Sequence, residues 1–421
     1  MQIDQKTVEM ITELVSQAIA GGAAPAPAGN DAEIAKLLPQ YTPFDQTCPT
    51  ILGAGAIRLL GYKAKELGVT KALIATDEGI VKAGIVEKAK AILTAAGVDF
   101  VVYDKVNPNP LDTVCEEGGA LAAGEKVNGI IALGGGSVID AAKTMNIMIN
   151  NPPPVSAYYR SWDYKPGVPL IIVPTTAGTG SENTIFAVIS DHKTHAKNVT
   201  MAKGDLALCD PDLTRTVPRD LIASTGMDVF AHAAESYTAN ITCLKTDLFA
   251  LEAIRRVVKW LPVVYQDPAN AQARYEMMAA SNLAGASFSD TLCHLGHATS
   301  HSLGVRLGVA HGISCAWALP ETLAYVADAV PERVRNIAAA MGIPLSPYAT
   351  DREVGKLVAD AIRVFMRRLD IASIRGLGFS KEETVNCSDL IVLDVCFPII
   401  PKPTTEQDVK EFLGRVYDTY Q

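Results

Sequence analysis

The chain has little that would tie it to a membrane, a nucleic acid or an oxidising compartment. No apolar run approaches the ~18–20 residues that cross a bilayer. Basic residues are outnumbered 37 to 46, giving a net charge of −9, and no basic stripe offers a nucleic acid or an anionic membrane a footing. The eight cysteines are scattered, with no C-x-x-C pair, which is the usage of a reduced compartment and not of a disulfide framework. Asp4, Glu9 and Glu13 come before any long apolar stretch, so the N-terminus does not read as a secretory signal. No internal repeat shows at solenoid periods. The expectation is a soluble, cytoplasmic protein with no nucleic-acid and no membrane partner.

What is present is ample core material: 421 residues, 48% of them hydrophobic. That length predicts two domains of roughly 150–200 residues. Residues 1–20 stand apart, with Val8, Ile11, Leu14, Val15, Ala18 and Ile19 on one helical stripe. GGAAPAPAG (21–29) follows, a low-complexity stretch that cannot pack a core and reads as a linker within 21–47. Such a tethered helix either docks back on the body or lays its apolar face on a partner. From 48 the texture becomes α/β. KALIAT (71–76), DFVVYD (99–104), GIIALGG (129–135) and PLIIVPT (169–175) read as parallel strands buried on both faces. Helical stretches at 84–97 and 111–125 alternate with them, which predicts a doubly wound sheet over 48–217. Beyond Pro218 only three-to-four-residue periodicity remains, predicting an all-helical domain over 218–421.

Four of the seven histidines, His294, His297, His301 and His311, fall in one short window. Asp228 and His232 are spaced i, i+4, as are His297 and His301, so each pair shares one helix face. A carboxylate and imidazoles converging from separate helices suit a borderline divalent metal such as Fe(II) or Zn(II). Two glycine segments follow predicted strands. Gly134-Gly135-Gly136-Ser137 leads into a helix, where backbone N–H groups and the helix dipole can meet a phosphate, although a tight structural turn explains it equally well. Pro174-Thr175-Thr176-Ala177-Gly178-Thr179-Gly180-Ser181-Glu182 is rich in hydroxyls and permissive backbone, suited to wrapping a nucleotide. The first segment departs from the strict G-x-G-x-x-G fingerprint, as does Gly53-Ala54-Gly55 earlier in the chain. Asp77 ends the first strand, where a carboxylate can bind a ribose 2′-OH and repel a 2′-phosphate, or else cap the next helix.

GGGSVIDAAK (134–143), PTTAGTGSE (174–182), GMDVFAHAAESY (226–237) and HLGHATSHSLG…HG (294–312) resemble, in order and spacing, the iron-containing (group III) alcohol dehydrogenases. The resemblance runs from about 48 to the C-terminus. It implies a Rossmann-like dinucleotide domain followed by an all-helical metal-binding domain, a dehydroquinate synthase-like architecture, with the catalytic cleft between them. It implies Asp228, His232, His297 and His311 as ligands of Fe(II), with Zn(II) the alternative. It places His301 near the nicotinamide and leaves His294 a structural role. It puts Asp77, Gly135, Gly136, Ser137, Asp140, Thr175, Thr176, Thr179 and Lys197 on or beside the NAD(H) site, and Phe186, Phe288 and Cys396 on the substrate wall. Asn183, Phe186, Ser302 and the tail 395–408 depart from the family pattern, which bears on substrate identity and not on reaction class.

The chemistry of the residues agrees. Hydride transfer to an aldehyde needs an electrophile on its oxygen, and a cation in an Asp/His₃ set with an open position supplies one. His301 is placed to relay the alcohol proton. The expected function is reduction of a short-chain aldehyde to its primary alcohol, regenerating NAD+. A polyol, hydroxy acid or sulfonated aldehyde is the alternative within the fold, with Arg306 the residue to test for an anionic substrate. A metallohydrolase is the alternative of another class, and a shell-associated binding protein with a vestigial site the non-enzymatic one. The helix and linker of 1–29 resemble encapsulation peptides of bacterial microcompartments, which implies a shell or cargo partner and a place in that lumen. Hydrophobic helical surface favours a homo-oligomer, a dimer or larger.

Overall fold

The computed structural model describes residues 46–194 and 196–421, so the segment 1–20 lies outside the described residues. Among the described residues there are eight strands: β1 (Thr50–Leu52), β2 (Lys71–Ala75), β3 (Asp99–Tyr103), β4 (Gly129–Gly134), β5 (Leu170–Pro174), β6 (Phe186–Ser190), β7 (Lys197–Met201) and β8 (Leu206–Cys209). Six of them form one sheet in the order β1-β8-β5-β4-β2-β3, with every neighbouring pair parallel. The central strands β4 and β5 are buried along their whole length. Successive side chains leave a strand on opposite faces, and the packing follows that alternation. Ile130, Ala132, Leu170 and Ile172 enter one core layer, while Ile131, Leu133, Ile171 and Val173 enter the other.

Between the strands run α1 (Leu60–Glu66), α2 (Glu78–Lys82), α3 (Ile85–Ala96), α4 (Asp112–Gly124) and α5 (Gly136–Met148). The layer that holds Ile130 takes Cys115 and Ala122 of α4 and Val138 and Met145 of α5. The other layer takes Leu60 of α1 and Ala89 and Leu93 of α3. β3 flanks β2 on one side, while β5 and β8 continue beyond β4 on the other. The crossovers therefore diverge at the β2–β4 pair, and ligands of such sheets bind beyond the carboxyl ends of strands at this switch point. β6 and β7 are an antiparallel hairpin that pairs Phe186 with Met201 and Ser190 with Lys197. Sequence periodicity does not show this hairpin, nor the short strands β1 and β8.

The rest is helical: α6 (Arg219–Thr238), α7 (Leu244–Gln266), α8 (Ala271–Thr291), α9 (Leu295–Leu307), α10 (His311–Val326), α11 (Pro331–Ala340), α12 (Asp351–Arg368), α13 (Lys381–Val385), α14 (Ser388–Ile391) and α15 (Glu406–Thr419). One continuous core of residues such as Phe230, Leu261, Trp317, Ile362 and Phe412 joins them. The loop after β5 meets α8 backbone to backbone. A Cβ on Gly285 would lie 2.2 Å from the carbonyl oxygen of Gly180, and Gly180 itself has φ +60°, so both positions need glycine. Beside this contact the Asn282 amide donates to Glu182 Oε1 at 3.0 Å, and Arg274 pairs with Asp212 at 3.1 Å. The parallel sheet and the helical body are thereby clamped together along one cleft.

Candidate active site

Helix α6 presents Asp228, His232 and Glu235 at i, i+4 and i+7, one face over two turns. Helix α9 presents His297 and His301 the same way, and His311 opens α10. Donor atoms of Asp228, His232, His297 and His311 all lie within 4.8 Å of one another. Asp228 Oδ1 stands 3.7 Å from His297 Nε2 and 3.5 Å from His311 Nε2, and Asp228 Oδ2 stands 3.9 Å from His232 Nδ1. These distances exceed a hydrogen bond, and Asp228 Oδ1, His232 Nδ1 and His297 Nε2 are buried with no partner. Each polar atom left so costs about 1–3 kcal/mol, and three aimed at one point are what a cation would satisfy. The donor set, one carboxylate and three imidazoles, suits Fe(II) or Zn(II).

Every member but one of this cluster is held from behind. His297 Nδ1 lies 2.7 Å from Glu235 Oε1, and Glu235 Oε2 accepts the backbone N–H groups of His294, Gly296 and His297. Burial works against the Glu235 carboxylate, but His297 and the N–H donors outweigh it and draw its pKa down to about 2. The Ser300 hydroxyl lies 2.8 Å from His311 Nδ1. The His232 ring is stacked 4.1 Å from Phe288, which touches Phe186 at 5.7 Å, so the aromatic wall also fixes an imidazole. Burial pushes the His232 imidazole down to about 4, leaving it neutral and a competent donor near neutral pH. Asp228 is buried too, yet His232 and His311 hold its carboxyl below the usual carboxylate range. His294 is turned away from the cluster, with Nε2 at 2.8 Å from the Thr238 hydroxyl.

A cavity of about 1550 Å³ joins this cluster to the sheet. Pockets for a single small ligand run to roughly 300–1,000 Å³, so there is room for an extended cofactor beside a small substrate. Gly136, Ser137, Asp140, Thr179 and Lys197 line it, as do Asp228, His232, His297, His301, His311, Phe186, Phe288 and Cys396. Asp77, Gly135, Thr175 and Thr176 are not among the lining residues. Asp77 caps α2, its Oδ1 accepting the Ile80 N–H at 3.0 Å. The two glycine segments abut: a Cβ on Gly136 would lie 2.4 Å from Thr179 Cγ2. Asp140 is tied down by Ser181 Oγ at 2.5 Å and the Val188 N–H at 3.0 Å, bridging α5, the threonine loop and the hairpin. Lys197 donates to Asn109 at 2.6 Å.

Sequence reasoning missed three supporting residues. Glu235 lies one further step along the Asp228/His232 stripe, a signal that was readable. Asp394 accepts from His301 Nδ1 at 2.9 Å across 93 residues of chain, with no local signal. Lys143, the last residue of GGGSVIDAAK, is fully buried, and its ammonium donates to the carbonyl oxygens of Ser181, Thr184 and Phe186 at 2.7–3.0 Å. Arg306 does not reach the cavity; it pairs with Asp389 at 2.8 Å and with the Asn386 carbonyl, so it does not serve as an anion clamp there.

Residues 49–211 match the iron-containing alcohol dehydrogenase family, and residues 222–417 match the C-terminal part of the Fe-containing alcohol dehydrogenase family. The NAD-dependent methanol dehydrogenase of Bacillus methanolicus is 31% identical over 86% of this chain and 97% of its own. The lactaldehyde reductase of Escherichia coli (strain K12) is 33% identical over 85% of this chain and 95% of its own. Among solved structures, the alcohol dehydrogenase from Oenococcus oeni superposes with a TM-score of 0.85 at 32% identity, covering 89% of this chain and all of that one. With both family regions in order on a parallel sheet and a helical body that enclose an Asp/His₃ cluster, the chain belongs to the iron-containing alcohol dehydrogenases and is an oxidoreductase of that type.

Proposed function

We propose that this enzyme uses NADH to reduce a short-chain, uncharged aldehyde to its primary alcohol, with Asp228, His232, His297 and His311 holding one Fe(II), or Zn(II) in its place. The observation that carries the reading is the set of three unpartnered buried atoms converging at the inner end of the cleft. A divalent ion there supplies the electrophile that polarises the substrate oxygen. Glu235 and Ser300 orient His297 and His311 through their Nδ1 atoms, as outer-shell partners of ligand histidines commonly do. His301 donates its Nδ1 proton to Asp394, which fixes the tautomer and leaves Nε2 to exchange a proton with the substrate oxygen. Phe186 and Phe288 exclude water from the reacting carbon, and Cys396 continues that wall. On the sheet side, Gly136, Ser137 and Thr179 face the dinucleotide, with Gly135, Thr175 and Thr176 shaping the two loops just behind them. Lys197 and Asp140 border it, and Asp77, which caps α2 through one carboxylate oxygen, keeps a negative charge at the strand end that favours NAD over NADP.

The uncharged substrate follows from where the cations are. Arg306 is engaged by Asp389 outside the cavity. Of the cationic side chains that do line it, Lys197 sits opposite Ser190, four residues along the hairpin from Phe186, or about 13 Å at strand rise. Lys402 is paired with Asp328 at 2.8 Å, and Arg160 is exposed. After anaerobic reconstitution with Fe(II), NADH oxidation should proceed with short neutral aldehydes and much less with NADPH or with sulfonated or carboxylated analogues. Equal kcat/KM for a charged analogue would remove the substrate assignment. Full metal occupancy with no turnover on any aldehyde would remove the redox one.

The reading extends to assembly. Residues 1–20 dock through their apolar stripe to a shell or cargo protein and bring the enzyme from the cytoplasm into a microcompartment lumen. Deleting them from a fluorescent fusion should abolish co-purification with shells, and unchanged co-purification would dismiss this part alone. Leu244 and Leu248, 62% and 52% exposed one turn apart on α7, supply an apolar surface for a homo-oligomer.

A further inference from the structure

Beside the Asp/His₃ cluster lies a second convergence of metal-binding side chains. His301, Asp394 and Cys396 each offer a donor atom, and the three atoms lie within 4.8 Å of one another. They bring one nitrogen, one oxygen and one sulfur, and none of them belongs to the first cluster. All three side chains line the cavity, so a fourth coordination position opens onto the cleft. Their geometry is already constrained: His301 Nδ1 stands 2.9 Å from Asp394 Oδ2, and the Cys396 N–H donates to Asp394 Oδ1 at 2.9 Å. We infer that His301, Asp394 and Cys396 form a second, weaker site for a thiophilic divalent cation, with zinc the ion it fits best, whose occupation shuts the enzyme off.

The donor set is what selects zinc. A mixed N/O/S tripod with one open position matches zinc sites that keep a free coordination place, and thiolate discriminates against hard cations such as Mg(II). Donors around zinc stand about 2.0–2.3 Å from it, so atoms this close together need only small rotamer shifts to converge. Binding releases one proton net, because the His301 proton that bonds Asp394 passes from Nδ1 to Nε2 by way of water and frees Nδ1 as the donor. The Cys396 S–H bond breaks, the sulfur pair forms the S–Zn bond, and the proton leaves to water through the open cleft. Burial raises that thiol well above its ordinary value, so a hard cation that gains little from sulfur has no means of displacing the proton. With three donors against four, this site is the weaker of the two.

The position of the site explains why filling it would stop turnover. The His301 ring stacks on that of His311 at 5.5 Å and meets that of His297 at 6.3 Å. A cation on the tripod occupies the imidazole assigned above to proton exchange, beside the first cluster. That loss of turnover rests on the dehydrogenase reading; the second metal equivalent does not.

The test uses full-length enzyme carrying one equivalent of metal, dialysed against rising Zn(II), and in parallel Co(II), with metal per chain counted by mass spectrometry. A second equivalent is expected, with a thiolate-to-cobalt charge-transfer band. Turnover should fall about a hundredfold at the same midpoint, the low end of what a positioned acid–base group contributes. Cys396→Ala should stop at one equivalent and show no such band. Wild-type protein that never exceeds one equivalent, because zinc merely replaces the first ion, overturns the site. So does a Cys396→Ala variant that takes up the second equivalent with the band unchanged. Should that variant not fold, alkylation of Cys396 in the natural chain gives the answer: zinc slows it if the site exists, and an unchanged rate overturns it. An enzyme inactive before zinc is added counts against the dehydrogenase reading and leaves the metal count to decide this one.

Discussion

Glu235 shows how much of this site depends on side chains that touch no substrate. Its carboxylate is buried, accepts three backbone N–H groups and bonds His297 Nδ1, so it fixes both the start of α9 and the orientation of one imidazole of the cluster. Glu235→Gln keeps the volume but removes the charge that makes His297 a better donor. Outer-shell losses of this kind reduce metal affinity about 10–100-fold. A competition titration against a chelator should show that drop, with kcat at saturating metal falling much less. Unchanged affinity would mean that Glu235 only braces the helix. Asp228, His232, His297 and His311 were legible in the sequence because helical spacing writes shared faces as i, i+4. Glu235 extends the same stripe, but a glutamate on a helix is ordinarily solvated, and only its burial distinguishes it. Asp394 reaches His301 through the fold alone, and no local pattern announces such a partner.

Among the elements, the loop between β5 and β6 matters most, because it borders both the cavity and α8. Lys143 holds it from beneath with bonds to the carbonyl oxygens of Ser181, Thr184 and Phe186. Its ammonium, pushed down to about 8 by burial, stays protonated at neutral pH because Asp140 and Glu182 favour the charged form. Lys143→Met keeps the length and strands three buried carbonyl groups, at about 1–3 kcal/mol each. The variant should unfold at markedly lower urea, and where it still folds, KM for NADH should rise more than kcat falls. A loss of kcat alone would show that the loop serves chemistry and not cofactor binding. The buried strands β2 to β5 were readable as continuous apolar runs between turn residues. The hairpin was not, because Phe186–Ser190 and Lys197–Met201 lie half outside the core and mix polar with apolar residues. β1 and β8 span only three and four residues, too short for periodicity to register. Asp77 was legible as a strand-end carboxylate, but whether it faced a ribose or its own helix was not, and the structure shows the helix cap.

The molecule as a whole closes a parallel sheet and a helical body over a cluster whose polar atoms folding leaves unsatisfied. Any ion that binds the folded chain and not the unfolded one stabilises it, by about 2.7 kcal/mol at a hundredfold excess over Kd. The metal-free protein should therefore melt lower, and its stability should depend on pH in a definite direction. Burial pushes His232 and His294 each down to about 4, whereas in the unfolded chain they titrate near 6.5. Above pH 6.5 both states carry these rings neutral, and they impose no penalty. Between about 6.5 and 4 the unfolded chain takes up protons that the folded chain refuses, so stability falls as pH falls. Each ring contributes about 1.4 kcal/mol per pH unit in that window. His311 is lowered in the same direction, but its ring faces the cavity and water reaches it, so its share is smaller. At His297, burial disfavours the cation, but Cys293, Cys315 and the Glu235 carboxylate together reverse that, so its pKa is raised. Protonated in both states below 6.5, it adds no slope in the acid window and acts only as pH rises above it. The urea midpoint of chelator-treated protein should accordingly drop steeply from about pH 6.5 to 5. His294→Asn, which removes the ring outside the metal cluster, should flatten that slope by about 1.4 kcal/mol per unit without changing metal stoichiometry. A midpoint that stays level through this range would show that these imidazoles are solvated in the metal-free state, and that the cluster is assembled by its ion and not by the fold.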